Sequence, residues 1–179
     1  MNPIVLIPAR MAATRLPDKP LADIGGLPMI VRVLRQAQAA GVGPVLVAAG
    51  DQEIVDAVTA AGGLAVLTDP NLPSGSDRIL AALDQYDPDE KHDVVINLQG
   101  DMPFVDPAIV RTLVDCFTDH PGLRMATLVA PEASPADRSN PDVVKAVLSL
   151  ARDADFGRAL YFTRSTLYGE GPIWRHIGL

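Results

Sequence analysis

Arg10, Arg15 and Lys19 fall within ten residues of one another in Pro8-Ala9-Arg10-Met11-Ala12-Ala13-Thr14-Arg15-Leu16-Pro17-Asp18-Lys19-Pro20, where Asp18 is the only acid. Three cations on one short loop can grip a polyphosphate, because Arg and Lys make charge-assisted hydrogen bonds to phosphate oxygens. The small side chains of Ala9, Ala12 and Ala13 leave room for backbone N–H groups to approach the same oxygens. The plain alternative is a solvated basic loop. A second candidate stands in Val94-Val95-Ile96-Asn97-Leu98-Gln99-Gly100-Asp101-Met102-Pro103, where Asp101 lies just past an apolar run and Gly100 permits a sharp turn. A carboxylate so placed can hold Mg²⁺ against phosphate oxygens. Its plain alternative is a turn cap ahead of Pro103.

Both candidates gain weight from the elements around them. Short β-branched runs alternate with amphipathic stretches of helix length. Strands are expected over Ile4 to Ile7, Val45 to Ala48, Leu64 to Leu67 and Val94 to Leu98. Helices are expected over Met29 to Ala40, stopped by Gly41, and over Gln52 to Ala61, stopped by Gly62-Gly63. A third runs over Ser76 to Asp84 with Ser76 as its cap, and a fourth opens at Asp106-Pro107 and ends near Asp119. This order predicts an α/β fold, a three-layer, mostly parallel, Rossmann-like sheet wound right-handedly. Ligands in such sheets gather at the carboxyl ends of the strands, which is where both candidates fall, as does a third segment, the loop Asn71 to Arg78.

After Met125 to Val129 the alternation breaks. Pro131, Pro135 and Pro141 punctuate a loop, strands are expected at Val143 to Leu148 and Ala159 to Thr163, and Ile173 to Leu179 closes the sequence without a cap. No linker separates the parts, so residues 1–179 are read as a single domain.

The 179 residues carry 15 Lys+Arg against 22 Asp+Glu, a formal charge of -7, with 48% hydrophobic and 4% aromatic residues. Mean hydropathy is +0.18. The chain is too apolar to be disordered. A duplex nucleic-acid partner is not expected, since phosphate neutralisation needs a basic face. An anionic ligand must instead find a local cluster, which the first loop supplies. The single cysteine, Cys116, cannot close an intramolecular disulfide and is read as a buried, inert thiol. His92 and His120, in polar turns, are read as solvated. No signal sequence or membrane-spanning run is present, so a cytoplasmic protein with no membrane partner is expected. No G-x-G-x-x-G follows Ile7 and no G-x-x-x-x-G-K-[ST] occurs, so neither a dehydrogenase nor a P-loop enzyme is indicated.

Six motifs stand in order along the chain: Ile7-Pro8-Ala9-Arg10, Thr14-Arg15-Leu16-Pro17-Asp18-Lys19-Pro20-Leu21, Gly26-Leu27-Pro28-Met29-Ile30, Ser74-Gly75-Ser76-Asp77-Arg78, Asn97-Leu98-Gln99-Gly100-Asp101 and Asn140-Pro141-Asp142-Val143-Val144-Lys145. In this the sequence resembles the 3-deoxy-manno-octulosonate cytidylyltransferase (CMP-Kdo synthetase) family. The resemblance implies a nucleotide-diphospho-sugar transferase fold and transfer of a cytidylyl group from CTP to the anomeric hydroxyl of the acidic sugar Kdo, for lipopolysaccharide biosynthesis. By position it implies a nucleotide site of Pro8, Ala9, Arg10, Arg15, Lys19, Ser74, Arg78 and Gln99. Arg10, Arg15 and Lys19 would grip the triphosphate, and Arg78 and Gln99 would help to recognise the cytidine. Asp101 would hold Mg²⁺, which makes Arg10, Lys19 and Asp101 the catalytic candidates. Arg164 and His176 match positions on the sugar side, and a homodimer is implied.

The sequence also departs from the family. Met102 stands where a Glu usually follows the metal Asp, Val47-Ala48-Ala49-Gly50-Asp51 replaces a more polar stretch, and the charged loop usual after Ser165 is absent. Members of the family continue beyond the stretch matched by Arg175-His176-Ile177-Gly178-Leu179, and that continuation carries a second metal carboxylate and further sugar contacts. The chain is therefore read as C-terminally truncated. Two other readings remain: a cytidylyltransferase for another acidic or amino-substituted sugar, and a CTP-binding module without turnover for want of the second carboxylate.

Overall fold

Continuous apolar runs predict strands covered on both faces. The computed structural model, which describes residues 1–12, 17–151, 154–169 and 171–179, shows β1 (Pro3–Ala9) to be of that kind. Ile4, Val5, Leu6 and Ile7 have no exposed surface. β2 (Val45–Ala49) lies parallel to β1 with Val5 opposite Val45 and Ala9 opposite Ala49. β3 (Leu64–Leu67) and β4 (Val94–Asn97) flank this pair, completing a parallel sheet of order β3-β2-β1-β4.

Alternation along the strands sends successive side chains to opposite faces. Ile4 and Leu6 of β1 and Leu46 and Ala48 of β2 pack on Ile79 and Ala82 of α3 (Gly75–Tyr86). The equally buried Val5, Ile7 and Val47 point to the other face, that of α1 (Met29–Ala40) and α4 (Pro107–Asp119), which pack against one another. α2 (Gln52–Ala60) joins β2 to β3. The result is the three-layer parallel α/β sheet that the alternation predicts.

Helix ends follow their residue types. Gly41 takes φ 66° at the end of α1, a left-handed conformation that glycine adopts without strain. Asp106 caps α4 by accepting the Ala108 N–H at 2.8 Å, ahead of Pro107. α3 corrects the sequence reading: it begins at Gly75, and its cap is Ser74, not Ser76. Ser74 is extended, and its Oγ accepts the N–H of Asp77 at 3.1 Å. Ser76 lies inside the first turn.

The described residues divide into two compact units, Met1–Ala126 with Leu179, and Thr127–Gly178. The division falls where the regular alternation of the sequence stops. The second unit is an antiparallel sheet of order β5-β8-β6-β7, built from β5 (Leu128–Pro131), β6 (Lys145–Ser149), β7 (Arg158–Thr163) and β8 (Trp174–Ile177). β8 is an addition to the expected elements, pairing with β5 and with Lys145 and Ala146 of β6. Cys116 in α4 is half-buried, not wholly enclosed. No helix among the described residues is long and apolar enough to cross a membrane.

Candidate active site

The carboxyl ends of β1 and β4 lie side by side, because the two strands pair in parallel. The chain leaving β4 passes so close to β1 that a Cβ on Gly100 would lie 2.7 Å from the carbonyl oxygen of Pro8. Only glycine permits this approach. A cavity of about 160 Å³ opens beside it, lined by Pro8, Ala9 and Arg10 from β1 and its exit, Leu72, Ser74, Gly75 and Arg78 from the start of α3, and Gln99. Six of the eight nucleotide-site candidates thus surround one cavity. Leu72 and Gly75 join them; neither is named as a site residue from the sequence, but both lie in the segment Asn71 to Arg78 that its place after the third strand marks out. Arg15 lies outside the described residues.

Arg78 is 2% exposed. Its Nη1 donates to Thr68 Oγ1 at 2.6 Å and to the Asp69 carbonyl at 3.1 Å, and its Nη2 to the Pro70 carbonyl at 3.3 Å. Thr68 Oγ1 in turn donates to the Ala49 carbonyl at 2.8 Å. The guanidinium therefore ties the segment after β3 to the end of β2 as well as lining the cavity. Burial, and then repulsion from Arg10, pulls its pKa below the ordinary value, while Asp51 and Asp69 oppose the shift. Gln99 donates from Nε2 to Asn97 Oδ1 at 3.2 Å, which orients its amide.

Lys19 opens a single 3-10 turn, Lys19–Leu21, and its Nζ donates to Asp101 Oδ2 at 2.7 Å. The two candidates that the sequence separates by 82 residues are thus in direct contact. Among the described residues no three His, Cys, Asp or Glu side chains gather into a metal cluster. A single half-exposed carboxylate that already draws a cation nevertheless suits Mg²⁺, which typically takes one or two protein carboxylates and fills its remaining positions with phosphate and water.

Arg164 and His176 belong to the second unit. Arg164 donates from Nη1 to the carbonyls of Pro141 and Asp142, both at 3.1 Å. His176 Nε2 is 2.8 Å from Thr127 Oγ1, and its ring meets Phe162 edge-on with centroids 5.3 Å apart. Burial pulls the His176 pKa down, which favours the neutral imidazole. Lys145 is fully buried, its Nζ donating to the carbonyls of Asn140 at 2.7 Å and Arg164 at 2.9 Å. The sequence offered no sign of this role beyond the motif that contains it. His92 corrects the solvated reading: its Nδ1 is 2.7 Å from Asp87 Oδ2, and its side chain is 12% exposed.

A model of the cytidylyltransferase family matches residues 4–170. The chain is 56% identical over 178 residues to the 3-deoxy-manno-octulosonate cytidylyltransferase of Rhodospirillum rubrum, covering 99% of this chain and 71% of that one. To the enzyme of the same description from Rhodospirillum centenum it is 57% identical, over 99% and 69%. Among solved structures, a CMP:2-keto-3-deoxy-manno-octonic acid synthetase complexed with CTP superposes with a TM-score of 0.87 at 38% identity, over 99% of this chain and 72% of that one. A family match across nearly the whole chain, together with relatives sharing more than half its residues, means that this chain belongs to the cytidylyltransferase family, among the 3-deoxy-manno-octulosonate cytidylyltransferases.

Proposed function

We propose that the chain transfers a cytidylyl group from CTP to the anomeric hydroxyl of 3-deoxy-D-manno-octulosonate, releasing pyrophosphate and serving lipopolysaccharide biosynthesis. The observation that carries this is the cavity at the ends of β1 and β4, in a chain whose backbone follows that of a synthetase holding CTP. In the transfer the hydroxyl oxygen bonds to the α-phosphorus and gives up its proton to solvent, the bond from that phosphorus to the bridging oxygen breaks, and the departing pyrophosphate takes the electron pair. The chemistry asks for alignment and for cations where charge accumulates, and needs no protein nucleophile.

Pro8, Ala9, Ser74, Arg78 and Gln99 would enclose the cytidine, with Arg10, Arg15 and Lys19 along the triphosphate. Asp101 would hold Mg²⁺, which when bound supplies positive charge beside the phosphates. Lys19 would exchange its bond to Asp101 for phosphate oxygens when nucleotide arrives. Arg164 and the neutral His176 would meet the carboxylate and hydroxyls of the sugar. The enzyme is taken to be cytoplasmic and dimeric.

Pyrophosphate release with CTP, Mg²⁺ and 3-deoxy-D-manno-octulosonate tests the reading. Release with that sugar is expected. Release only with a different acidic sugar would move the substrate, and CTP binding with no release for any sugar would leave a nucleotide-binding module.

A further inference from the structure

Asp51 stands at the N-cap of α2, where Asp is among the residue types best able to bond the first helical N–H groups. Its side chain makes no such bond. Instead Oδ2 accepts the backbone N–H of Met11 at 2.7 Å, across 40 residues of sequence. A helix start has been left without its side-chain cap, and the carboxylate is spent on the loop that leaves β1.

The partner segment grips Arg10 from both sides. The carbonyl of Ala9, before Arg10, accepts the N–H of Gly50 at 2.8 Å, and the N–H of Met11, after it, is held by Asp51. Between these bonds the Gly50 backbone approaches so closely that an added Cβ would lie 3.1 Å from Arg10 Cβ and 2.8 Å from Arg78 Nη1. Both peptides flanking Arg10 are therefore fixed by residues 50 and 51.

We infer that Asp51 is a positioning residue for triphosphate binding, acting through the Met11 N–H to fix the backbone from which Arg10 reaches the phosphates. This rests on the CTP reading of the cavity. It assigns a task to Asp51 and accounts for the glycine before it, where an added Cβ would crowd Arg10 and Arg78.

The test is CTP affinity by calorimetry, with melting temperature, for the whole chain and two variants. Asp51→Ser supplies a good helix cap but is too short to reach Met11, so CTP should bind about tenfold more weakly with the melting temperature unchanged or raised. Asp51→Asn keeps an acceptor of the same reach and should bind within about threefold of the parent. Wild-type affinity in Asp51→Ser would overturn the inference, since the cap alone would then account for the residue. Equal weakening in both variants would also overturn it, because charge and not anchoring would be at work. A parent chain that does not bind CTP would overturn the nucleotide reading itself, and Asp51's role with it.

Discussion

β1 in the first unit and β7 in the second carry apolar runs of similar length, yet Ile4 to Ile7 are wholly buried while Leu160, Tyr161 and Phe162 are 57, 59 and 42% exposed. The contrast follows from position in the sheet. β1 is central, with a strand on either side and helices over both faces, whereas β7 pairs with β6 at the end of its sheet. The candidate residues inherit the difference. Those of the first unit hang from strand ends and a helix start within a packed α/β layer. Arg164 in the second is held by a reciprocal set of bonds, in which Lys145 grips its carbonyl and its own guanidinium grips those of Pro141 and Asp142. The first arrangement presets a cavity through burial. The second presets a side chain through polar bonds between loops.

If the first unit carries the phosphate chemistry, Asp101→Asn should have the largest effect of any single change here. The variant loses the charge that would hold Mg²⁺, and kcat/KM should fall about a thousandfold with the melting temperature unchanged. The side chain is half-exposed, so little packing is disturbed. Loss of the fold instead would show that Asp101 serves as the turn cap ahead of Pro103.

Next comes a paired test of how labour is divided between the units. Lys19→Ala should weaken CTP binding and lower kcat/KM about a hundredfold, since one charge-assisted grip on phosphate disappears. Arg164→Ala should raise the KM for the sugar by a similar factor and leave the Kd for CTP untouched. A CTP affinity that falls equally in both variants would erase the distinction between a nucleotide side and a sugar side.

The structural half of the comparison can be broken by unfolding. Leu6→Ala removes a side chain buried in the layer between β1 and α3 and should cost about 3 kcal/mol in urea titrations. Leu160→Ala, on exposed β7, should change stability by less than about 0.5 kcal/mol. A large loss at Leu160 would mean that its exposed face is covered in solution, which a melting temperature dependent on protein concentration would reveal.

The sequence is legible where structure is local. α1 runs from Met29 to Ala40 and β3 from Leu64 to Leu67, at the bounds their periodicity predicts. The fold class and the neighbourhood of the cavity follow from the same alternation, because parallel strands bring their carboxyl ends together whatever the loops contain. Contacts that depend on distant pairing are not visible in this way. β8 is four residues of mixed polarity that become a strand by pairing with β5 and β6. The bonds of Asp51 to Met11 and of His92 to Asp87 depend on turns whose direction no spacing reveals. Ser74 and Ser76 are equally good caps by type, and only the extended backbone at 74 selects between them.

Mild acid should separate the units by the smallest effect. Burial holds the His176 pKa below its ordinary 6.5, so the unfolded chain takes up this proton more readily than the folded one. The stability linked to the neutral ring is fully present above that value and is lost as pH falls through it toward the lower folded pKa. In the first unit, Asp87 behaves differently. Its own burial raises the pKa, but the N–H groups of Lys91 and His92 and the His92 ring outweigh this, and the net shift is downward from 3.8. Its titration therefore lies well below the window of His176. Between pH 7.5 and 5.5, amide exchange in β8, normalised to the intrinsic rate at each pH, should accelerate while β1 stays protected. In His176→Gln the acceleration should vanish. Equal acceleration in β1 and β8 would show that the two units open together, and the contrast between a packed layer and a sheet held by polar bonds would then have no consequence for local stability.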